Sequence, residues 1–286
     1  MLDAKLLLVS GKGGVGKSAV AAALAISAAR TGRRVLAIAM TGRLGLAAHL
    51  RVDTLPYDPV EVRPGLYGAA VDRAHALDEY LKLQLPMSQV APTKQLTRAL
   101  GVLVDTAPGI REIITMGKPI FEVWRGGWDL VVADAPPLGQ LMSYVNAPAT
   151  IRDLVPTGMV QQEALQIAKT LADPEASGLI LVTTPAELPV IETTETLELL
   201  SETETVALAG TLTNRVLDAA GFTEDDLDNI SEGPLLDAAR LHLGLEQSQA
   251  TWIEHLPPGP RLPFLFGLLT PGEVAARLAD VLEEVW

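Results

Sequence analysis

The sequence predicts an α/β fold in which helices flank a mostly parallel sheet, with an additional helical subdomain. Three observations support this prediction. Short, almost wholly apolar runs alternate with segments of helical periodicity, as is typical of strands buried between layers of helices. A glycine-rich loop follows the first apolar run, and a stretch at about 74–128 contains helical patterns without a strand signal. The length of 286 residues allows one domain over 1–286 with a full hydrophobic core.

The predicted strands are the apolar runs, most of which are rich in valine, leucine and isoleucine. In chain order they cover Leu6–Ser10, Val35–Met40, Leu66–Val71, Leu130–Asp134, Leu179–Thr183 and Val206–Thr213, with a further short candidate at Leu262–Phe266. Apolar runs of this length without alternation are typical of strands covered on both faces. They therefore indicate the inner strands of a parallel sheet.

The predicted helices show apolar residues at a spacing of three to four positions. They cover Lys17–Thr31, His75–Leu85, Gln95–Val104, Ile110–Trp124, Met159–Ala172, Ile191–Ser201, Pro234–Leu243 and Glu273–Glu284. Between about 74 and 128 the helices follow one another without a strand, separated by prolines, which predicts a helical subdomain inserted on one face of the sheet. A second helical piece is predicted at about 150–174.

The absence of cysteine excludes several classes of site. A chain without a thiol cannot form a disulfide scaffold, an iron–sulfur cluster, or a thiolate site for zinc. The four histidines are scattered without the spacing of metal ligands. No apolar run approaches the roughly 20 residues that span a bilayer, and the N-terminus lacks the pattern of a secretory signal. We therefore expect no integral membrane segment and a cytoplasmic location.

The charge of −13 is unevenly distributed. Residues 1–143 carry 16 basic and 12 acidic side chains, whereas residues 144–286 carry 6 basic and 23 acidic ones. A chain with this balance is not expected to bind nucleic acid by charge. Two explanations stay open. The basic half faces an anionic ligand, or the uneven charge reflects only an ordinary solvated acidic face on the rest of the chain.

The clearest chemical signal is the phosphate-loop pattern G-x-x-x-x-G-K-S at Gly11–Ser18, placed between a strand and a helix. Glycines let the backbone curl so that N–H groups face phosphate oxygens, and the helix start adds partial positive charge. Lys17 is expected to reach the β- and γ-phosphates and Ser18 to bind Mg²⁺. The predicted contacts of ATP or ADP here are Gly13, Gly14, Val15, Gly16, Lys17, Ser18 and Ala19. The fold is therefore expected to be that of a P-loop NTPase.

A second lysine, Lys12, lies inside this loop, in the segment K-G-G-V-G-K-S. The segment resembles the signature of the deviant Walker A group of P-loop ATPases. The resemblance implies that Lys12 reaches across a dimer interface to the partner's nucleotide and acts in catalysis together with Lys17. It also implies a dimer as the working unit, either a homodimer or a heterodimer with a paralogous ATPase. The alternative is a solvated loop lysine.

The stretch Leu130–Gln140 resembles the ArsA-type branch of this group, which contains anion-pump ATPases and ATPases that target tail-anchored proteins. It is similar to a strand followed by D-T-A-P-T-G-H, with Gln140 in place of the histidine. Asp134 ends the strand, where a carboxylate can accept a hydrogen bond from Mg²⁺-bound water. Ser18 and Asp134 are thus the predicted metal site. Gly139 lies in the segment after this strand, called switch II, and is expected to let that segment bend toward a γ-phosphate. A helix cap is the alternative role of Asp134.

Later segments also resemble this branch. Val182–Thr193 is similar to V-T-x-P-E-x-x-P-V-x-E-T. Asn214 and Arg215 follow a predicted strand, as does the family's adenine-reading asparagine, and an amide can both donate and accept at the edge of adenine. The segment around Pro263 resembles the loop that packs near the base. A structural asparagine in a turn is the alternative for Asn214.

The sequence departs from the family after the second predicted strand. The family has an aspartate there that orients the attacking water, but this chain has Thr41. A hydroxyl is a poor base at neutral pH. Neither Asp53 nor Asp72 lies near this strand end in the sequence. We therefore expect ATP binding with slow or partner-dependent hydrolysis. The dimer stays open between two copies of this chain and a heterodimer whose other half keeps the aspartate.

Apolar stripes on the helical segments raise the question of a client protein. They comprise Leu96, Leu100, Leu103, Ile110, Ile113, Ile114, Met116 and Phe121, and Met159, Val160, Ala164, Ile167, Ala168 and Leu171. Such stripes form either core or, when exposed, a binding surface for an apolar client. The resemblance implies such a client. The arsenite and zinc sites found in the family use cysteines, so this chain, which has none, is expected to lack both.

Two other functions stay open. One is a nucleotide-sensing scaffold that regulates a partner chain without hydrolysing ATP. The other is a positioning ATPase of the ParA or MinD kind, which the acidic second half of the chain and its acidic C-terminal helix disfavour.

Overall fold

The computed structural model describes residues 4–84, 109–154 and 157–285. Within these residues eight strands form one sheet: β1 Leu6–Gly11, β2 Val35–Ala39, β3 Val60–Arg63, β4 Leu66–Ala70, β5 Leu130–Asp134, β6 Ser177–Thr183, β7 Leu208–Val216 and β8 Arg261–Pro263. Their order is β3-β4-β2-β5-β1-β6-β7-β8, and neighbours are parallel except for the β3–β4 pair. The predicted mostly parallel α/β architecture is confirmed.

Helices flank this sheet in the described ranges. They are α1 Lys17–Arg30, α2 Arg43–Leu50, α3 Arg73–Gln84, α4 Ile110–Arg125, α5 Leu138–Leu154, α6 Met159–Ala172, α7 Glu187–Thr203, α8 Pro234–Ile253 and α9 Pro271–Val285, with a short 3₁₀ helix at Asp225–Asn229. None of the helices within these ranges combines the length and apolar character required to cross a membrane.

Each face of the sheet carries its own hydrophobic core. Along β1, Leu7 and Val9 belong to a core that includes residues of α1, α2 and α9, whereas Leu6 and Leu8 belong to a core that includes residues of α4, α5, α6 and α7. Successive side chains of a strand point to opposite faces. A strand covered on both sides must therefore be apolar throughout, which is why β1 gives so clear a signal in the sequence.

β1 lies between β5 and β6, and this position brings the predicted site together. The parallel register sets Val9 opposite Asp134, at the carboxyl end of β5. On the other side, a Cβ atom added to Gly11 would lie 2.0 Å from the carbonyl oxygen of Val182, so only glycine allows this close approach. In open α/β sheets, ligands bind beyond the carboxyl ends of the strands. The phosphate loop and Asp134 therefore share one edge.

Three elements escaped prediction because their local sequence disfavours them. β3 is a short, partly exposed edge strand that carries charged residues, so it lacks an apolar run. α2 follows Gly42 and contains Gly45, and glycine weakens helical propensity. α5 begins directly after Pro136 and Pro137 and contains Pro148. In each case packing against the rest of the chain outweighs the local preference.

Other differences concern boundaries and coverage. β7 extends to Val216, so Asn214 and Arg215 lie inside a strand, and the expectation that they follow one is wrong. β8 is Arg261–Pro263, whereas the sequence predicted a strand at Leu262–Phe266, so the two overlap only at Leu262 and Pro263. The predicted helix Gln95–Val104 lies outside the described residues. Between 74 and 128 the described part holds α3, α4 and turns. The assignment of one domain with inserted helices at about 74–128 and 150–174 remains a prediction.

Candidate phosphate-binding site

The phosphate loop forms a tight turn between β1 and α1. Gly14 and Gly16 adopt positive φ angles of 91° and 94°, a backbone region that favours glycine. Inside the turn the Val15 N–H donates to the Lys12 carbonyl at 3.5 Å. Gly13 and Gly14 have open space where a Cβ would point. The loop thus surrounds the start of α1 without side chains blocking its amides, which is the geometry of a phosphate cradle.

Lys17 folds over this loop. Its Nζ donates a hydrogen bond to the Lys12 carbonyl at 3.2 Å. Burial lowers the pKa of Lys17 because the ammonium group loses solvent, while the charge of Asp134 acts in the opposite direction. The ammonium group therefore lies at the mouth of the loop, where the terminal phosphates of a nucleotide would bind.

Ser18 and Asp134, the predicted metal pair, are in direct contact. The Ser18 hydroxyl donates to Asp134 Oδ2 at 2.6 Å. Asp134 is buried at the end of β5, and desolvation raises its pKa to about 6, against the opposing effects of the Ser18 hydrogen bond and the Lys17 charge. A buried carboxylate of this kind gains most from a nearby cation. The donor set of one hydroxyl and one carboxylate fits Mg²⁺, which keeps several waters and binds phosphate oxygens.

Asn214 supports the loop from below. Its Nδ2 donates to the Val15 carbonyl at 2.8 Å, and the residue is buried. A Cβ on Gly16 would lie 2.5 Å from this Nδ2, so the glycine and the amide fit one another closely. The amide thus holds the loop in this structure. This is a structural role, as in the alternative given for Asn214, but the residue lies in a strand rather than in a turn, and the sequence did not reveal Val15 as its partner. Adenine contacts by Asn214, Arg215 and Pro263 remain predictions.

Lys12 forms an ion pair with Glu192 of its own chain, near the start of α7. Both side chains are partly exposed, with 28% and 38% of their surface accessible. The resemblance to deviant Walker A ATPases implies instead that Lys12 acts across a dimer interface. Lys12 is thus paired with a partly exposed carboxylate of its own chain, and its role toward a partner remains a prediction.

The loop after β2 approaches both Asp134 and the phosphate loop. The Met40 N–H donates to the Asp134 carbonyl at 3.1 Å. Further along, a Cβ on Gly45 would lie 3.0 Å from the Ser18 hydroxyl, so α2 packs directly on the proposed metal side. Thr41 lies between these two contacts along the chain, in the segment after β2, called switch I, where the resemblance implies the water-orienting aspartate. Gly139 and Gln140 lie in the first turn of α5.

Asp72 lies much closer to Thr41 than their separation in the sequence indicates. β2 and β4 are parallel neighbours with Ala39 opposite Ala70, so Thr41 and Asp72 each come two residues after a paired position. Arg43 forms an ion pair with Asp72, and His75 donates to the same carboxylate. The hydrogen bonds from His75, followed by that from Arg43, lower the pKa of Asp72 to about 2. The sequence predicted the strands that correspond to β2 and β4 one after the other, and a parallel pairing of the two would have placed Asp72 near Thr41.

A polar cavity of about 630 Å³ lies beside this loop. Among the described residues it is lined by Met40, Thr41, Gly42, Arg43, Val71, Asp72, Arg73, Arg111, Glu112, Thr115, Gln140, Ser143 and Tyr144. It connects the loop after β2 with the ends of β4, α4 and α5.

The apolar stripes on the helices divide into core and cavity wall. Met116, Ile167 and Leu171 are buried in the second core, and Ala164 is buried as well. A smaller cavity of about 120 Å³ is lined mainly by apolar side chains, including Ile110, Ile113, Ile114, Phe121 and Val160. Leu96, Leu100 and Leu103 lie outside the described residues.

A parallel sheet with a glycine-rich phosphate loop after its first strand, and a carboxylate at the end of the neighbouring strand, defines a P-loop nucleotide-binding protein. The family model for the anion-transporting ATPase (ArsA ATPase) matches residues 4–166, which include both features. The chain belongs to this ATPase family.

Curated relatives agree with this assignment. ATPase BagA of Mycobacterium tuberculosis (strain ATCC 25618 / H37Rv) is 32% identical over 252 residues, which cover 84% of this chain and 73% of the relative. A putative arsenical pump-driving ATPase of Halobacterium salinarum is 24% identical over 207 residues, or 66% of this chain and 32% of the relative. ATPase ASNA1 homolog 1 of Paramecium tetraurelia is 27% identical over 145 residues, or 50% and 44% of the two chains.

Replacing Asp134 with asparagine should stabilise the nucleotide-free chain at neutral pH. A raised pKa means that the folded state holds the proton more tightly than the unfolded state, so stability falls as pH rises from about 4 to about 6 and remains lower above. The rise in the pKa of Asp134 from 3.8 to about 6 corresponds to about 3 kcal/mol in the free energy of unfolding. Asp134→Asn removes this penalty, and we expect a gain of about 1–3 kcal/mol at pH 7.5 and little change at pH 4.

Urea unfolding of both chains at pH 7.5 and pH 4 without nucleotide measures this effect. Asp153→Asn, which changes an exposed carboxylate in an ion pair with Arg152, serves as the control and should leave the pH dependence unchanged. Equal stabilities of the wild type and Asp134→Asn at both pH values would show that the buried carboxylate carries no such penalty.

Proposed function

We propose that this chain is an ATPase that binds ATP and ADP with Mg²⁺ at the phosphate loop. The observation that carries the proposal is the loop itself. Gly14 and Gly16 hold a curled backbone, Lys17 lies over it, and the Ser18 hydroxyl contacts Asp134 at 2.6 Å. Together these groups offer amides and an ammonium for an anion, beside two oxygen ligands for a cation. A nucleotide polyphosphate with its metal ion has this same arrangement of charge.

Each residue has a defined part in the proposal. The loop amides and Lys17 bind the phosphates, and Lys17 balances the charge at the terminal phosphate. Ser18 and Asp134 would hold Mg²⁺, which neutralises phosphate charge when bound. The Asn214 amide keeps the loop in its binding shape through the Val15 carbonyl. Family membership supports the ATPase class, since the matched model and the relatives are described as ATPases.

We further propose that hydrolysis is slow or depends on a partner. Thr41 occupies the switch I position, where the resemblance implies an aspartate that orients water. Asp72, which the pairing of β2 with β4 brings close to Thr41, is engaged by Arg43 and His75. Asp72 follows β4, which lies one strand further from β1 than β2 does, so it does not occupy the position that an aspartate at residue 41 would have. A nucleotide-sensing scaffold is the second candidate function. The presence of Thr41 in place of the family's aspartate supports it as well.

The working unit in this proposal is a dimer, formed either by two copies or with a paralogous ATPase that keeps the aspartate. Lys12 is the contact proposed to act across the interface. Its partial exposure and its pairing with one surface carboxylate support this role, because exposed ion pairs are weak and easily exchanged. The dimer would form on the face where Lys12 and the start of α7 lie.

We also propose that the chain contacts an apolar client protein. The apolar cavity of about 120 Å³ among α4, α6 and their neighbours has room for a side chain rather than for a whole helix. Val160 at its rim is 42% exposed. Such a cavity suits the anchoring of one apolar side chain of a partner protein.

Nucleotide binding should depend on Lys17. We expect calorimetry with Mg²⁺ to detect binding of both ATP and ADP to the full chain, and Lys17→Ala to weaken it by about tenfold or more because a charge-assisted phosphate contact is lost. Lys169→Ala, which removes an exposed lysine on α6, is the matched control and should bind like the wild type. Folded wild-type protein that releases no heat with either nucleotide would contradict the proposed function.

Restoring a carboxylate at residue 41 should accelerate hydrolysis. In single-turnover assays without a partner, we expect Thr41→Asp to raise the rate by about tenfold or more, because a carboxylate orients water better than a hydroxyl. Thr41→Asn has nearly the same size without the charge, and it should remain slow. If the wild type already hydrolyses ATP as fast as Thr41→Asp, the proposed defect does not exist. If neither chain turns over even with a paralogue present, the scaffold function is favoured.

Glu192 should oppose dimer formation by retaining Lys12. With a non-hydrolysable ATP analogue, Glu192→Gln should shift the monomer–dimer equilibrium toward the dimer by about three- to fivefold for each ion pair released, since an exposed ion pair contributes up to about 1 kcal/mol. Sedimentation measures the equilibrium, and Glu195→Gln, a change on the same helix, is the control. Lys12→Ala should abolish the nucleotide-dependent dimer. A dimer that is unaffected by Lys12→Ala would rule out the proposed contact.

A further inference from the structure

The polar cavity beside the loop after β2 has an excess of positive charge. Among its described lining residues, three are arginines, Arg43, Arg73 and Arg111, and two are acids, Asp72 and Glu112. These charged residues belong to the basic part of the chain, since residues 1–143 carry 16 basic and 12 acidic side chains. A cavity of about 630 Å³ can hold a small polyatomic ion together with water. The charge favours an anion as the occupant.

The position of the cavity connects it to the phosphate loop. The chain after β2 runs between the ends of β5 and β4: the Met40 N–H donates to the Asp134 carbonyl at 3.1 Å, and the Val71 N–H donates to the Ala39 carbonyl at 2.9 Å. A few residues later, Gly45 packs against the Ser18 hydroxyl. The segment that forms one wall of the cavity is therefore also the segment that contacts the metal side of the loop.

Arg43 is the cation best placed to exchange partners. It follows Thr41 by two residues at the start of α2, its side chain is 44% exposed, and its carboxylate partner is Asp72. Asp72 also accepts hydrogen bonds from the His75 backbone at 3.0 Å and from its Nδ1 at 2.9 Å. The carboxylate would therefore keep hydrogen-bond donors after Arg43 leaves. An exposed ion pair of this kind is readily exchanged for a stronger partner.

We propose that this cavity binds a phosphate-class oxyanion and that Arg43 is its main contact, exchanging Asp72 for the anion. A guanidinium group presents paired N–H donors that match two oxygens of a phosphate, which a point charge does not. The anion has two sources with this same chemistry: the γ-phosphoryl group of bound ATP, and orthophosphate after cleavage. Only the source depends on the proposed nucleotide function, because the cavity lies beside the phosphate loop rather than within it.

The probe is orthophosphate, titrated by calorimetry into the full chain saturated with Mg²⁺ and ADP. The wild type should bind one phosphate, and Arg43→Ala should weaken this binding by about tenfold or more. Arg43→Lys keeps the charge without the paired donors and should give an intermediate affinity. Arg152→Ala removes an arginine of similar exposure that also pairs with a surface carboxylate, and it should bind like the wild type. Asp72→Asn should tighten binding, because it weakens the competing partner of Arg43.

Comparing the affinities of ATP and ADP identifies the source of the anion. If Arg43→Ala lowers the affinity for ATP relative to ADP, the guanidinium contacts the γ-phosphoryl group while it is still attached. If only the affinity for orthophosphate falls, the cavity holds the released ion. Either result supports an anion at Arg43.

The proposal fails if the wild type binds no orthophosphate at millimolar concentration, or if Arg43→Ala and Arg152→Ala bind it equally well. Its failure is distinct from that of the proposed function, since ADP binding is measured first. Should ADP not bind, orthophosphate is titrated into Lys17→Ala, which removes the ammonium group of the phosphate loop, with and without Arg43→Ala. Loss of binding only in the double variant again supports the cavity, and identical affinities overturn it.

Discussion

The parallel register of β1 and β5 is the constraint on which the site depends. It sets Val9 opposite Asp134, so the first strand delivers the phosphate loop to the edge where the neighbouring strand delivers a carboxylate. The contact between Ser18 and Asp134 then follows from the start of α1. Neither residue is near the other in sequence, and only the pairing of the two strands brings them together. A slip of one residue would turn Asp134 toward the opposite face of the sheet.

This arrangement has an electrostatic cost that a ligand can offset. Asp134 is buried, Lys17 is partly desolvated, and the pKa of each moves in the direction that disfavours its charge. A ligand that is both anionic and accompanied by a cation complements both groups at once. Binding energy of that kind also stabilises the folded chain, since it acts on the native state alone. The desolvated charges of Asp134 and Lys17 therefore couple the stability of the fold to the binding of such a ligand.

The parts of the fold that the sequence predicts are those whose burial is complete. β1, β2 and β5 are covered on both faces, so their residues are apolar without interruption, and the glycines of the phosphate loop have a spacing that few other structures require. α2 could not be predicted, because Gly45 serves the close approach to Ser18 and Gly42, just before the helix, adopts a positive φ of 74°. Asp72 pairs with Arg43, 29 residues away, and Asn214 donates to Val15, 199 residues away. Local patterns contain no record of such pairs.

The two edges of the sheet limit how copies of this chain can associate. β3 has four residues, bears charged side chains and pairs irregularly with β4, while β8 has three residues and ends in Pro263. Short, charged or proline-bearing borders offer few backbone groups for another strand to pair with. Continuous strand addition is thus disfavoured in the described chain, and ordered self-association is left to the loops and helix faces rather than to the backbone of the sheet.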